Sequence, residues 1–122
     1  MGNGKANLTS KSKDDLLDSI FFALSDRNRR KILKMLSEKD LSVSEIAEIL
    51  AISLPGTLKH LGILGEADLV TQEKNGRVRS CSFRPKGFAG ALNYIEEYKE
   101  FWEAGFDRIE ALLLKKECDR DE

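Results

Sequence analysis

Two groups of basic side chains lie close together along this 122-residue chain, and their residue types suit the binding of phosphate. Lys59 and His60 are neighbours in a segment with helical spacing of apolar residues. The second group surrounds a glycine-containing dipeptide and consists of Lys74, Arg77, Arg79, Arg84 and Lys86. Lysine and arginine donate charge-assisted hydrogen bonds to phosphate oxygens, so both groups indicate a polyanionic partner.

The remaining candidates for chemistry are few, because the chain has two cysteines and one histidine. Cys81 and Cys118 have no close cysteine or histidine in sequence, so we expect neither a disulfide framework nor a zinc site. One alternative is that Cys81 is a redox-responsive thiol whose pKa is lowered by Arg79 and Arg84. No Ser-His-acid set and no phosphate-binding glycine loop can be assembled, so we expect no enzyme, no metal and no cofactor.

The segment 41–69 predicts the elements that position the first basic group. Ser42 and Glu45 have the spacing of a capping box, which starts a short helix. A second helix is predicted to start after Ser53, which is a good N-cap and is followed by Pro55 in the first turn. Two short helices joined by a tight turn are typical of a helix-turn-helix, whose second helix enters the major groove of DNA.

The second of these helices turns Thr57, Leu61 and Leu64 inward and leaves the opposite face for a ligand. We therefore assign the N-terminal part of this helix to DNA contact. The assigned residues are Ser53, Leu54, Pro55, Gly56, Thr57, Leu58, Lys59 and His60. A helical hairpin that binds no DNA is the competing interpretation of these residues alone.

Two strand-like runs flank the dipeptide Asn75-Gly76. This dipeptide is typical of a type I′ turn, because both of its residues tolerate a positive φ. A β-hairpin directly after a helix-turn-helix is a wing, and we assign Asn75, Arg77 and Arg79 to DNA contact. Basic residues also occur on solvated strand edges that bind nothing, which is the competing interpretation.

The net charge of −1 hides an uneven distribution of charge along the chain. Residues 1–86 carry 15 Lys and Arg against 11 Asp and Glu, whereas residues 87–122 carry 5 against 10. A basic DNA-binding region followed by an acidic segment that faces away from DNA accounts for this distribution.

Two further helices are predicted before the helix-turn-helix. Ser12 starts the first, and Ser25 caps the second, which runs to about Ser37. The second helix carries a basic cluster that consists of Arg27, Arg29, Arg30, Lys31 and Lys34. A solvated face and contact with the DNA backbone explain this cluster equally well, and we assign Arg27 and Arg30 to DNA contact.

A long helix is predicted from about residue 88 to residue 116, and its apolar side chains recur close to heptad spacing. A domain of this size cannot cover so long an apolar stripe, so we expect a homodimer formed by this helix and the first helix. The interface residues assigned on this basis are Leu16, Ile20, Leu92, Ile95, Trp102, Phe106, Ile109 and Leu113. Packing within one chain is the alternative. A symmetric dimer would also place two reading helices about one DNA turn apart.

The chain is expected to form one domain, residues 12–116, between a disordered segment 1–11 and a charged tail 117–122. No run of about 18 apolar residues is present, and the first residues lack the apolar stretch of a signal peptide. We therefore expect a protein without a membrane segment that stays in the cytoplasm.

Together, these elements resemble the ArsR/SmtB family of winged-helix repressors, from about residue 16 to residue 114. Residues 24–33, LSDRNRRKIL, resemble the family's L-x-D-P-T-R-R-x-I-L segment, with Arg27 and Asn28 in place of Pro and Thr. Residues 53–61, SLPGTLKHL, are similar to the segment that forms its reading helix. Gly62 stands where family members commonly carry Lys or Arg, and Asp68 replaces a usual Gly.

The resemblance implies a mainly helical α+β fold, a winged helix-turn-helix that dimerises through its N- and C-terminal helices. It also implies a transcriptional regulator, most simply a homodimeric repressor that binds an inverted-repeat operator in double-stranded DNA. The family's best-known metal site needs Cys-x-Cys where this chain has Ser42 and Ser44, so the chain resembles the branch that lacks those cysteines. The sequence identifies no small-molecule inducer. A winged-helix dimer that has lost DNA affinity and serves as a protein-interaction module is the alternative function.

Overall fold

Five helices and three short strands make up the described part of the chain. The computed structural model describes residues 12–121, apart from the side chains of residue 100 and of residues 117–121. In chain order the elements are α1 (Lys13–Leu24), α2 (Arg27–Glu38), β1 (Leu41–Ser42), α3 (Val43–Leu50), α4 (Leu54–Glu66), β2 (Val70–Asn75), β3 (Val78–Phe83), a 3₁₀ turn (Pro85–Phe88) and α5 (Ala89–Asp121). The predicted disordered segment 1–11 and the side chains of the predicted charged tail lie outside the described residues.

Helices α1 to α4 each start at a polar side chain that accepts a hydrogen bond from the backbone of the first turn. These N-caps are Ser12, Asp26, Ser42 and Ser53. The predicted capping box of α3 is confirmed, since the Ser42 hydroxyl accepts from the Glu45 N–H (3.1 Å) and the Glu45 carboxylate accepts from the Ser42 N–H (2.9 Å). This hydrogen bond to the charged carboxylate holds the pKa of Glu45 below its ordinary value.

The start of α2 differs from the prediction by one residue. Ser25 does not cap α2, because it ends α1 instead, and its hydroxyl donates to the Phe22 carbonyl (2.6 Å). The Asp26 carboxylate takes the capping position and accepts from the Arg29 N–H (3.1 Å). A negative charge at this point also interacts favourably with the positive end of the helix dipole.

Helices α3 and α4 both end in a residue with left-handed backbone conformation. Ala51 follows α3 with φ of 55°, and Asp68 follows α4 with φ of 60°. Paired backbone hydrogen bonds close each end, from Ala51 N to Glu48 O and from Ile52 N to Ala47 O in the first case. This is the Schellman arrangement, in which glycine is the usual left-handed residue. Aspartate tolerates that conformation better than most residues, which explains why Asp68 can stand where the family usually has Gly.

The sheet has three antiparallel strands in the order β1-β3-β2, with Leu41 opposite Cys81 at the outer pair. Strand β1 was not predicted, because two residues are too short to show an alternating pattern. The turn between β2 and β3 is also one residue later than predicted. Asn75 pairs with Val78 in the ladder, so the two loop residues are Gly76 and Arg77. Only Gly76 has a positive φ, which is the type II′ pattern and not the predicted type I′.

The core lies among α1 to α4 and the root of the hairpin. Its fully buried side chains include Ile20, Ile32, Ile46, Leu61, Leu64, Leu69, Thr57 and Cys81. The predicted mainly helical fold with a small β-hairpin is confirmed. Because α4 contributes Thr57, Leu61 and Leu64 to this core, its outer face is held in a fixed position.

The described residues divide into two compact units, one that ends at Ala91 and one that begins at Leu92. The second unit is the remainder of α5, which runs to Asp121 and so passes the predicted end at residue 116. Within it, the rings of Tyr94, Tyr98 and Trp102 lie 5.1–6.0 Å apart between centroids. No single helix in residues 12–121 is long and apolar enough to cross a membrane; only α3 and α4 taken together, bent by 112°, satisfy that test.

Candidate nucleic-acid interface

Helix α4 presents an exposed face opposite its buried one. The exposed positions of its first three turns are Leu54, Pro55, Leu58, Lys59 and Gly62. Leu54 is 50% exposed and Leu58 is 40% exposed, although both are large apolar side chains. A surface of this kind, on a helix that is fixed from behind, is available for contact with a groove or a partner.

The start of α4 is held by side chains that face inward or along the helix. The Ser53 hydroxyl accepts from the Gly56 N–H (3.0 Å). Thr57 is fully buried, and its Oγ1 donates to the Ser53 carbonyl (2.9 Å). A Cβ atom on Gly56 would lie 3.0 Å from the Ser53 hydroxyl, so a glycine keeps this cap undisturbed. Gly56 and Thr57 were both assigned to DNA contact, and in the structure they fix the backbone at the start of α4 through their contacts with Ser53.

His60 points away from the exposed face, toward the junction of α1 and α2. Its Nδ1 lies 3.3 Å from Arg29 Nη1 and 3.9 Å from Asp26 Oδ2. Arg29 is buried, and it donates from Nε to the Ala23 carbonyl (2.8 Å) and from Nη2 to the Phe22 carbonyl (2.9 Å). Since an arginine has no acceptor, the Arg29 N–H donates to Nδ1 of His60. This network joins α4 to the end of α1 and the start of α2.

The tip of the hairpin carries three cations that lie near one another. Lys74 and Arg79 are directly opposite in the β2–β3 ladder, so they share one face of the hairpin, and Arg77 lies in the loop. The alternation of a strand places Cys81, which is buried, on that same face. One face of the hairpin therefore contacts the core near Cys81 and carries Lys74 and Arg79 near the turn. Asn75, also assigned to DNA, is exposed on the opposite face.

These cations border a cleft of about 470 Å³ between the hairpin and the helix-turn-helix. Its lining residues are Ser42, Val43, Ser44, Leu58, Lys74, Arg77, Val78 and Arg79. Within residues 12–121, none of the three cations forms an ion pair with a carboxylate. Two like charges directly opposite each other repel, so an anion in the cleft would relieve an unfavourable interaction.

Two assigned arginines lie outside this cleft. Arg27 and Arg30 are both exposed in the first turn of α2. Arg30 donates from Nη1 to the Leu24 carbonyl (2.8 Å), which satisfies an open acceptor at the end of α1. Neither side chain lines the cleft.

The environment of Cys81 does not match a reactive thiol. Its side chain is fully buried, and burial raises its pKa from 9.0 to about 11, against a smaller lowering effect of Arg79. The second arginine considered for this role, Arg84, pairs with Asp68 instead (3.4 Å). The expectation of a lowered pKa was therefore wrong, because the cost of burying a thiolate exceeds the attraction of one nearby cation.

The residues assigned to a dimer interface differ in their exposure and fall into three groups. Ile20 is only 1% exposed and belongs to the core of a single chain, so it is not available to a second copy. Trp102 is partly exposed. The remaining assigned side chains are all exposed, namely Leu16, Leu92, Ile95, Phe106, Ile109 and Leu113.

Sequence reasoning missed part of the cleft and the role of Arg29. Ser42, Val43 and Ser44 line the cleft because β1 pairs with β3 and brings the start of α3 beside the wing. The pairing of such a short strand leaves no signal in the sequence. Arg29 does carry a signal, since it stands three and four residues before Ile32 and Leu33, on the inward face of α2.

A helix-turn-helix followed by a hairpin whose basic tip borders the exposed face of the second helix defines a winged helix-turn-helix protein of the DNA-binding type. A family model described as a helix-turn-helix domain matches residues 24–73. The transcriptional repressor SdpR of Bacillus subtilis is 32% identical over 79 residues, which cover 65% of this chain and 88% of SdpR.

Solved structures agree with this relationship. The crystal structure of an ArsR family transcriptional regulator is 34% identical, with a TM-score of 0.69, and the match covers 74% of this chain and 93% of that one. An ArsR-like transcriptional regulator from Rhodococcus sp. RHA1 is 30% identical, with a TM-score of 0.64, over 80% of this chain and 92% of that one. This chain belongs to the ArsR family of transcriptional regulators, which is a family of regulators and not of enzymes. The predicted family is confirmed.

Proposed function

We propose that this protein is a homodimeric repressor that binds an inverted-repeat operator through the exposed face of α4 and the basic tip of its wing. The observation that carries the proposal is the cleft, in which Lys74, Arg77 and Arg79 stand without ion-pair partners in the described chain beside exposed Leu58. DNA phosphate is the anion that this arrangement suits, because the cleft adjoins a helix presented for groove contact. SdpR, the Bacillus relative, is named as a transcriptional repressor.

The contacts in this proposal have different roles. Lys59 of α4 faces the groove, and the backbone at Ser53 to Gly56 approaches a phosphate or base edge. Arg77 and Arg79 of the wing, with Asn75, hold the neighbouring backbone or the minor groove. Arg27 and Arg30 contact backbone phosphates from outside the cleft. His60 and Thr57 support α4 from behind, since their side chains bond within the protein.

The homodimer rests on the second unit. Leu92, Ile95, Phe106, Ile109 and Leu113 are exposed along α5 in the single chain. Apolar side chains at near-heptad spacing on one helix are stably covered by a second such helix. A twofold dimer would present two copies of α4 to the two halves of an inverted repeat.

We further propose that the repressor does not sense metal through the site at the start of α3. The Ser42 hydroxyl is already engaged in the capping box with Glu45, and hydroxyls are poor ligands for soft metals. We also infer a cytoplasmic location and no catalytic role, since its relative SdpR is named as a transcriptional repressor, and transcriptional repressors act on the chromosome.

The direct test is equilibrium binding of the full chain to duplex DNA selected from a random-sequence pool, followed by fluorescence anisotropy at several salt concentrations. We expect Arg77→Ala and Lys59→Ala each to weaken binding and to reduce the slope of log affinity against log salt by about 1 for each phosphate that is no longer neutralised. Lys13→Ala is the matched control, because Lys13 is an exposed lysine of α1 that does not line the cleft. Absent or salt-independent binding by the wild type would contradict the proposal and favour a protein-interaction module.

A further inference from the structure

The exposed start of α4 has an unusual chemical composition for a helix that reads DNA. Of its four exposed side chains, Leu54, Pro55 and Leu58 are apolar, and Lys59 alone carries a hydrogen-bonding group. Gly62, one turn further, presents no side chain, and apart from the backbone of its own helix no atom of the described residues lies within 4 Å of where a Cβ would stand. His60 is only partly exposed, and its Nδ1 accepts a hydrogen bond from Arg29 and not from a ligand of this face.

The major groove offers a contact that matches these side chains. Adenine is read by the amide of Asn or Gln, cytosine by a carboxylate, and guanine by Arg or Lys, whereas thymine presents a C5-methyl group that apolar side chains contact. The exposed residues 54–59 contain no amide, carboxylate or guanidinium group. What remains for base discrimination by this stretch is Lys59 and the apolar pair Leu54 and Leu58.

The position of Leu58 supports contact with the bases in particular. It lines the same cleft as Lys74, Arg77 and Arg79 of the hairpin. A duplex whose phosphates are held by these cations would bring its groove against Leu58. Leu54 stands one helical turn before Leu58, on the same row of the helix surface, so the two side chains can contact neighbouring base steps.

We propose that this protein recognises its operator by the methyl groups of thymines, contacted by Leu58 and Leu54. The inference rests on the proposed function and specifies the chemistry by which that site selects DNA. It identifies Leu58 as the principal specificity-determining residue and Lys59 as a contributor of affinity.

Methyl deletion in the DNA tests the proposal directly. The probe is a duplex selected from a random pool by the full chain, resynthesised with deoxyuridine in place of each thymidine in turn, which removes one methyl group and preserves base pairing. We expect one or two positions per half-site at which the wild type loses about 4-fold in affinity. This is the affinity that the burial of one methyl group contributes. At the position that Leu58 contacts, Leu58→Ala should bind both duplexes equally, whereas Lys59→Ala should bind both more weakly and keep the 4-fold difference.

The outcomes separate this inference from the proposed function. If the chain selects a duplex but binds its fully uracil-substituted form with unchanged affinity, methyl recognition is wrong and DNA binding stands. If a uracil effect is present and persists undiminished in both Leu58→Ala and Leu54→Ala, other residues read the methyl group and the assignment is overturned. If no duplex is enriched, the proposed function fails and this inference fails with it. Thermal melting of each variant accompanies the binding data, and the wild-type comparison of thymine with uracil does not depend on any variant folding.

Discussion

The two units of this protein expose surfaces of opposite chemical character. The unit that ends at Ala91 has a buried apolar core of its own, and among the described residues the three cations that line its cleft form no ion pair with a carboxylate. The unit that begins at Leu92 is a single helix whose large apolar side chains are exposed, with Phe106 at 63%. The surface that distinguishes the first unit is thus cationic, whereas the surface that distinguishes the second is apolar.

This contrast indicates the chemistry of the partner that each surface suits. Repulsion between Lys74 and Arg79 is relieved by an anion, and it is weakened by salt. The exposed apolar stripe of α5 is stabilised by another apolar surface, and salt affects that interaction little. Measurements that separate charge from hydrophobic burial can therefore test the two units independently.

Phe106→Asp is expected to have the largest effect, on association of the chain. The change places a carboxylate in the proposed apolar interface, and a twofold dimer contains it twice. At about 2 kcal/mol or more for each central residue, the dimer should be weakened on the order of 1,000-fold. Sedimentation equilibrium at several concentrations measures this shift.

Ala111→Asp is the matched control, since Ala111 is exposed on α5 away from the near-heptad positions that include Phe106, Ile109 and Leu113. It should leave the association constant within a few-fold of the wild-type value. A wild type that sediments as a single chain at micromolar concentration would remove the homodimer from the proposed function.

Arg29→Ala is expected to have the next largest effect, on the free energy of unfolding. Arg29 is only 6% exposed, and its guanidinium donates to two backbone carbonyls and to His60. The Phe22 carbonyl keeps its hydrogen bonds from Ser25. The buried Ala23 carbonyl, however, loses the donor that Nε supplies, and His60 loses its hydrogen bond to Arg29. We expect a loss on the order of 3 kcal/mol in the free energy of unfolding. Urea unfolding followed by circular dichroism gives this value.

Arg30→Ala serves as its control, because Arg30 is exposed and makes one hydrogen bond to the Leu24 carbonyl. Its loss should stay within about 1 kcal/mol. Equal losses for the two variants would show that the buried network of Arg29 does not hold α1, α2 and α4 together.

Ala51→Gly should stabilise the protein by a smaller amount. Ala51 has φ of 55° at the turn between α3 and α4, a conformation that a Cβ disfavours by about 1–2 kcal/mol. Glycine removes this strain but adds entropy to the unfolded chain, which leaves a net gain of roughly 0.5–1 kcal/mol in the free energy of unfolding. Ala89→Gly is the control: Ala89 has φ of −55° and is exposed, so the same change should destabilise. A lower melting temperature for Ala51→Gly would contradict the assigned strain.

Features set by neighbouring residues could be predicted from the sequence. Ser42 and Glu45 interact with each other's backbone, and Ser53 caps the helix that immediately follows it, so their patterns were sufficient. The start of α2 was missed by one residue because Ser25 and Asp26 are both good N-caps. Only the contacts of Ser25 with Phe22 in α1 decide between them.

Features set by tertiary packing could not be predicted in this way. The hairpin turn is shifted by one residue, because the ladder from Val70 opposite Phe83 fixes the register. Ile20 and Leu16 are both apolar residues of α1, and the sequence does not show that Ile20 is buried in the core whereas Leu16 is exposed. The sequence near Cys81 shows a nearby arginine but not the burial that raises its pKa.

Lys74→Ala has the smallest expected effect on stability, and the same change is expected to affect DNA binding. Lys74 lies opposite Arg79 in the ladder, and removing one of two like charges should stabilise the DNA-free protein by about 0.2–1 kcal/mol. The same change removes a cation from the cleft, so DNA binding should weaken while the melting temperature rises. Lys13→Ala, the control of the binding test, removes an exposed lysine that does not line the cleft and should leave DNA binding unchanged. Because the repulsion is screened, the stability gain should shrink at 1 M salt, where the Debye length is about 3 Å. A gain that persists at high salt would mean that Lys74 is destabilising for a reason other than charge, and the argument that the cleft suits an anion would then fail.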